Sequence, residues 1–130
     1  MSEELQGVLC TLADDIRETD RRITGLQGFL VQVEEQPGCF SEQERLATRA
    51  RIEEQLRERT RKVEVLRDKV EVYESRVLDL TQRLDVRKKI LDENPGSLEC
   101  APDLMAVFVE EHSTLTRELG AAREFLLSTT

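Results

Sequence analysis

The sequence is poor both in residues that build compact cores and in residues that perform chemistry. Its 130 residues contain no Trp, one Tyr and four Phe, although aromatic side chains supply much of the buried area of globular cores. A single His and three Cys leave little material for a catalytic or metal centre. The composition therefore disfavours a thick globular core and an enzyme active site.

Long apolar runs and a surplus of basic residues are also missing. The longest apolar run, Leu104 to Val109, has six residues, whereas a membrane-spanning helix needs about 18 or more. The first residues, Met-Ser-Glu-Glu, do not resemble a secretory signal. A net charge of −8 disfavours nucleic acid and anionic membranes as partners. We expect a cytoplasmic protein without membrane insertion, and leave a cytoskeletal, ciliary or nuclear location open.

Pro and Gly, scarce elsewhere, meet at two breaks. Pro37-Gly38 and Pro95-Gly96 each indicate a turn, because Pro fixes φ and Gly accepts a positive φ without steric cost. No alternating strand pattern occurs between or beside them. The sequence therefore predicts an all-α fold with turns at about 36–41 and 94–101.

The residues after each break favour a helix start. Ser41 and Glu44 have the S-x-x-E spacing of a capping box. Pro102 and Asp103 suit a first helical turn, where the missing N–H costs nothing and a carboxylate favours the helix dipole. The predicted helices span about 3–35, 42–93 and 102–127.

Apolar residues in each predicted helix alternate spacings of four and three, which define a seam of heptad a and d positions. The seam of the first helix comprises Leu5, Leu9, Leu12, Ile16, Thr19, Ile23, Leu26, Leu30 and Val33. That of the second comprises Ile52, Leu56, Arg59, Val63, Leu66, Val70, Tyr73, Val77, Leu80, Leu84, Arg87 and Leu91. That of the third comprises Met105, Phe108, His112, Leu115, Leu119, Ala122 and Leu126.

Helix length and turn length together suggest the topology. At about 1.5 Å per residue the outer two helices together slightly exceed the middle one, and short turns favour antiparallel neighbours. We expect antiparallel coiled-coil hairpins, or an elongated helical bundle, around a long central helix. Residues 1–130 would then form a single elongated coiled-coil domain.

The net charge of each segment indicates which helices pair. Residues 1–35 sum to −5, 42–93 to +1 and 94–130 to −4, so acidic outer helices suit a middle helix whose seam has basic flanks. Arg59, at a d position, is expected to reach Asp15, Glu18 or Asp20. Exposed pairs are weak, so these charges select partners rather than hold them. The charge-selecting flanks are Asp15, Asp20, Lys62, Arg67, Lys69, Arg83, Lys88, Glu111 and Glu118.

Other apolar residues lie off the seams, where a two-stranded coil would expose them. Large exposed apolar patches mark interfaces, so we expect these residues to meet a third helix, a partner chain or a second copy. The predicted interface residues are Val65, Val72, Leu78, Val86, Leu104, Val109 and Phe125.

No residue set predicts catalysis, cofactor binding or a metal site. His112 falls at an a position, and the lack of a second His favours a seam residue over a pH switch or a metal ligand. Cys10, Cys39 and Cys100 have no His base nearby in sequence. The hairpin topology would also separate Cys39 from Cys100 by more than a disulfide allows.

The function predicted from these features is that of a non-catalytic structural or adaptor subunit in a larger coiled-coil assembly. Cytoskeletal, ciliary, kinetochore and vesicle-tethering complexes use small subunits of this architecture, which is an analogy of fold. The alternative is a regulatory or chaperone-like module that captures a partner helix as a soluble monomer. Both predict protein partners and no small-molecule substrate.

Overall fold

A computed structural model describes residues 7–96 and 102–129. They form three helices, α1 (Val8–Glu35), α2 (Glu42–Glu93) and α3 (Pro102–Thr129), and contain no strand. The prediction of an all-α helical bundle is confirmed. Leu5, Cys100 and the rest of the second turn after Gly96 lie outside the described residues.

The helix ends follow the predicted local signals. α1 ends two residues before Pro37, and the amide of Glu44 donates to Ser41 Oγ at 3.1 Å, as a capping residue requires. Glu42 and Glu44 place carboxylates in the first turn of α2, where they interact favourably with the helix dipole. Pro102 is the first residue of α3. Short-range chemistry therefore determines where the chain turns.

By their contacts the residues divide into two compact units. We call residues 12–65 the α1–α2 unit, and Met1–Thr11 with Leu66–Thr130 the α2–α3 unit. The predictions of one domain and of a supercoiled heptad interface stay predictions.

The α1–α2 unit is an antiparallel helical hairpin. Glu34, near the end of α1, pairs with Arg49 near the start of α2, whereas Asp15 pairs with Lys62 further along. Side chains from both helices fill its core: Ala13, Ile16, Thr19, Ile23, Val33, Thr48, Ile52 and Val63.

One predicted seam residue of this unit is exposed. Leu56 is 45% exposed, and Gln55 is the half-buried residue beside it. At about 100° per residue, Ile52 and Arg59 lie about 20° apart around the helix, and Leu56 and Gln55 lie about 50° to either side of their midpoint. Helix spacing alone therefore does not choose between the two. In the packed hairpin Gln55 is turned inward and Leu56 outward, so the heptad assignment of Leu56 is wrong.

The α2–α3 unit is also antiparallel, and its core draws on three helices. Glu74 meets Arg123 near one end, and the guanidinium of Arg87 lies 4.3 Å from the ring centroid of Phe108 near the other. Phe125, predicted as an interface residue, is buried in this core because it faces α2 on the same side of α3 as Ala122. The buried residues are Leu9, Leu66, Val70, Tyr73, Leu80, Glu111, Leu115, Leu119, Ala122 and Phe125.

Candidate interaction surfaces

Charge pairs in the α1–α2 unit follow the predicted sorting. Lys62 Nζ lies 3.1 Å from Asp15 Oδ1 and donates to Thr19 Oγ1 at 2.9 Å. Arg59 Nε lies 2.5 Å from Asp20 Oδ1, which is one of the three carboxylates expected to reach it. Thr19 is fully buried and itself donates to the Asp15 carbonyl at 3.1 Å. A polar layer therefore crosses the core, and it satisfies its buried hydroxyl group.

Glu111 forms the corresponding pair in the α2–α3 unit. Its side chain is only 4% exposed, and its Oε1 accepts from Arg76 Nη2 at 2.8 Å and from Arg76 Nε at 3.1 Å. A buried carboxylate requires such charge-assisted hydrogen bonds, because burial removes its hydration. Sequence analysis assigned Glu111 to the flank but did not predict its burial.

Glu118 serves a different role from the predicted one. Its Oε1 accepts a hydrogen bond from the amide of Gly7 at 3.0 Å, at the N-terminus of α1. Gly7 has φ of 75°, a left-handed conformation that glycine adopts without strain. Burial raises the pKa of Tyr73, and the carboxylate of Glu118 raises it further. Glu118 therefore caps the N-terminus of α1 and raises the pKa of Tyr73, a core residue of α2.

The remaining predicted flanks do not pair between helices. Arg83 binds Asp79 of its own helix at 3.1 Å. Arg67, Lys69 and Lys88 have no ion-pair partner among residues 7–96 and 102–129. These side chains therefore remain available to groups outside the chain.

His112 contacts a hydroxyl group whose own proton is already used. Thr81 Oγ1 donates to the Val77 carbonyl at 2.8 Å, and His112 Nε2 lies 2.8 Å from the same oxygen. Because a hydroxyl has one proton to donate, Nε2 must be the donor. The ring is thus held against α2 by this bond, which agrees with a structural seam residue.

The described cysteines and carboxylates do not form a metal-binding group. Cys10 and Cys39 are free and exposed. Within the ranges that the structure describes, no group of three His, Cys, Asp or Glu side chains could hold a metal ion.

Five of the seven predicted interface residues are exposed on the α2–α3 unit: Val72, Leu78, Val86, Leu104 and Val109. Val65 is exposed on the α1–α2 unit. Other exposed apolar side chains were not among the predicted interface residues: Phe29, Val31, Leu46, Leu91, Val107 and Leu127. Leu91 was predicted as a seam residue, and it is 36% exposed.

An open groove of about 390 Å³ lies between α2 and α3 in the α2–α3 unit. It is lined by Arg67, Val70, Glu74, Arg123, Leu126 and Leu127. Val70 and Leu126 form its apolar floor, and the ion pair of Glu74 with Arg123 lies along it. We call these six residues the α2–α3 groove.

A scan of protein-family models finds no match to this chain, and searches of curated proteins and of solved structures find no similar protein. None of the described helices carries an apolar stretch long enough to cross a bilayer. What can be inferred about function therefore comes from the surfaces above.

Proposed function

We propose that this protein is a non-catalytic structural or adaptor subunit that binds helices of other proteins in a larger assembly. The observation that carries the proposal is the apolar surface left exposed on the packed helices. Thirteen large apolar side chains are exposed among the described residues, beside fifteen apolar residues in the cores. Isolated exposed apolar residues are normal, whereas larger exposed apolar surfaces mark interaction sites, so this exposed surface supports a chain that is completed by partners.

The chemistry of the described residues supports a binding role rather than catalysis. Of the residues that sequence analysis weighed for chemistry, His112 binds Thr81, and Cys10 and Cys39 belong to no metal-binding group of described residues. Catalysis needs a nucleophile or base positioned beside a substrate-sized polar pocket. The α2–α3 groove is apolar and open, which suits a peptide segment better than a reacting small molecule.

Native size in cell extract tests the proposal. The chain, tagged at its endogenous locus, is separated by size under non-denaturing conditions and detected through the tag. We expect it to migrate far above the mass of one chain. The variant Val72→Ser/Leu78→Gln/Val86→Ser, which changes exposed side chains only, should shift at least part of the chain to the free form. Migration of the unaltered protein as a single free chain would overturn the proposal.

A further inference from the structure

We propose that the α2–α3 groove docks an amphipathic helix of a partner protein whose apolar face is flanked by carboxylates. The inference rests on the proposed function and deepens it by naming one binding site and the chemistry of its occupant. Three features support it: an apolar floor, a basic side chain at its edge without an ion-pair partner among the described residues, and a position on the flank of α3 opposite the contact of Gly7.

The apolar part of the groove is incomplete in the chain by itself. Leu127 is 76% exposed, the largest exposed fraction among the large apolar side chains that the structure describes. It lies beside Leu126, which is half-buried, and Val70, which is buried at the floor. An apolar side chain inserted between them would bury Leu127 and continue the core of the unit outward.

Charge selects the occupant. Arg67 lines the groove and has no carboxylate within ion-pair distance among the described residues. Arg123 and Glu74 neutralise each other, so the groove carries one net positive charge in a chain of net charge −8. Elsewhere in this unit α2 meets its neighbour through a basic side chain on α2 and a carboxylate, as in Arg76 with Glu111. A carboxylate presented to Arg67 would repeat that arrangement.

Gly7, just before α1, contacts α3 away from the groove. Gly7 is held by Glu118, and Glu118 and Leu127 are nine residues apart on α3. At about 100° per residue this separation places them on opposite flanks of the helix. The contact of Gly7 is therefore on the flank of α3 opposite Leu127, which is the flank that lines the groove.

A second copy of this chain is a poor occupant. The acidic helices are α1 and α3, and their seams are already buried in their own units through residues such as Ile16 and Leu115. A second copy would have to unfold those contacts to present a seam, and without unfolding it could offer only its exposed off-seam residues, such as Val107 and Val109. A partner that supplies such a helix from outside needs no rearrangement of this chain.

Binding of designed helical peptides to the full chain tests the inference. The two probes are fluorescein-labelled three-heptad peptides with the same leucine face, one flanked by Glu and the other by Lys. We expect saturable binding of the Glu peptide in fluorescence anisotropy, and binding of the Lys peptide weaker by about tenfold or more. Equal binding of both peptides, or binding of neither, would overturn the inference.

Variants locate the site and control for charge and folding. Arg67→Glu should reverse the preference between the two peptides, and Leu127→Ser should weaken the Glu peptide about tenfold. Both residues are exposed, so helicity should stay unchanged. Lys89→Glu makes the same charge change at an exposed residue of α2 away from the groove and should leave binding unchanged. An equal effect of Lys89→Glu and Arg67→Glu would mean that net charge alone governs binding.

Two further measurements separate this inference from the proposed function. If Arg67→Glu/Leu127→Ser remains in the large native complex, the groove inference is wrong although the subunit proposal stands. If light scattering shows that the purified chain self-associates and that this variant does not, the occupant is a second copy and the inference is again wrong. If the native chain runs free, the subunit proposal fails independently of the peptide result.

Discussion

Tyr73 is the only tyrosine in the chain, so its ionisation can be followed without interference. Burial and the Glu118 carboxylate raise its pKa in the folded protein, against about 10 for an exposed tyrosine. We expect an ultraviolet titration of the folded protein to give a midpoint above 10. Glu118→Gln keeps a carbonyl oxygen for the Gly7 amide but removes the charge, so the midpoint should fall while staying above 10.

The same shift makes stability depend on alkaline pH. Above pH 10 the unfolded chain releases the Tyr73 proton while the folded chain retains it, so the unfolding free energy falls as pH rises toward the folded pKa. Below pH 10 both states hold the proton and this contribution is constant. Tyr73→Phe should remove that part of the alkaline loss, as measured by urea unfolding at several pH values. A midpoint at or below 10 in the folded wild type would contradict both expectations.

Glu111 and Glu110 are neighbouring carboxylates with opposite environments, one buried against Arg76 and the other exposed. Glu111→Gln removes the buried charged acceptor of Arg76 and leaves it only the exposed-side contact with Asp79 at 3.3 Å, at an expected cost of roughly 1–3 kcal/mol in the free energy of unfolding. Arg76 is partly exposed and can regain water, which keeps the loss below that of a fully buried pair. Glu110→Gln should change stability by less than about 0.5 kcal/mol. Equal losses in urea unfolding would contradict the burial of Glu111.

At the scale of the element, Lys62 and Lys69 test whether charge selects the pairing of α1 with α2. Lys62 is held by Asp15 and Thr19, whereas Lys69 is exposed and without an ion-pair partner among the described residues. Lys62→Glu would place a carboxylate beside Asp15 and next to a buried hydroxyl group. We expect a loss of roughly 1–2 kcal/mol at low salt, partly relieved by salt. Lys69→Glu should leave thermal unfolding unchanged within about 0.5 kcal/mol.

Two glycines weaken α1 without serving its geometry. A Cβ at Gly25 or at Gly28 would meet nothing within 4 Å. Because Gly in a helix interior costs about 0.5–1 kcal/mol relative to Ala, Gly25→Ala and Gly28→Ala should each raise the melting temperature. Gly7→Ala should lower it, since its φ of 75° strains any residue with a Cβ. A lower melting temperature for Gly28→Ala would indicate a close neighbour at that position.

The elements are the part of the structure that the sequence predicts best. The Pro-Gly turns and the Ser41 cap are short-range signals, so the bounds of α2 agree with prediction at both ends. Seam assignment is less certain because several residues share a helix face. Leu56 and Gln55 compete for one inward position, and only the orientation of α1 decides between them. Phe125 is misassigned for the same reason, since periodicity does not say how wide the buried face of α3 is.

At the scale of the whole molecule, the charge pattern predicts that acidic and basic helices pair, but not which of their residues form the ion pairs. Lys62 and Arg59 meet the acidic helix as expected, while Arg123 and Glu74 pair in the opposite sense. Which of several similar charges comes within reach depends on side-chain positions that helix spacing does not fix. The groove at Arg67 and Leu127 could not be predicted for that reason, although Arg67 was predicted as a basic flank that would select an acidic partner.

The exposed apolar side chains should contribute little to the stability of the isolated chain. Val72 and Val86 are exposed and Val63 is buried, so replacing Val by Ser should cost different amounts of unfolding free energy at these positions. Val72→Ser and Val86→Ser remove little buried area and should each change the unfolding free energy by less than about 0.5 kcal/mol. Val63→Ser loses buried methyl groups and buries a hydroxyl group, which should cost roughly 2–4 kcal/mol. Urea unfolding followed by circular dichroism measures both; a comparable cost at Val72 and Val63 would mean that the isolated chain covers its outer valines itself and offers no such surface to partners.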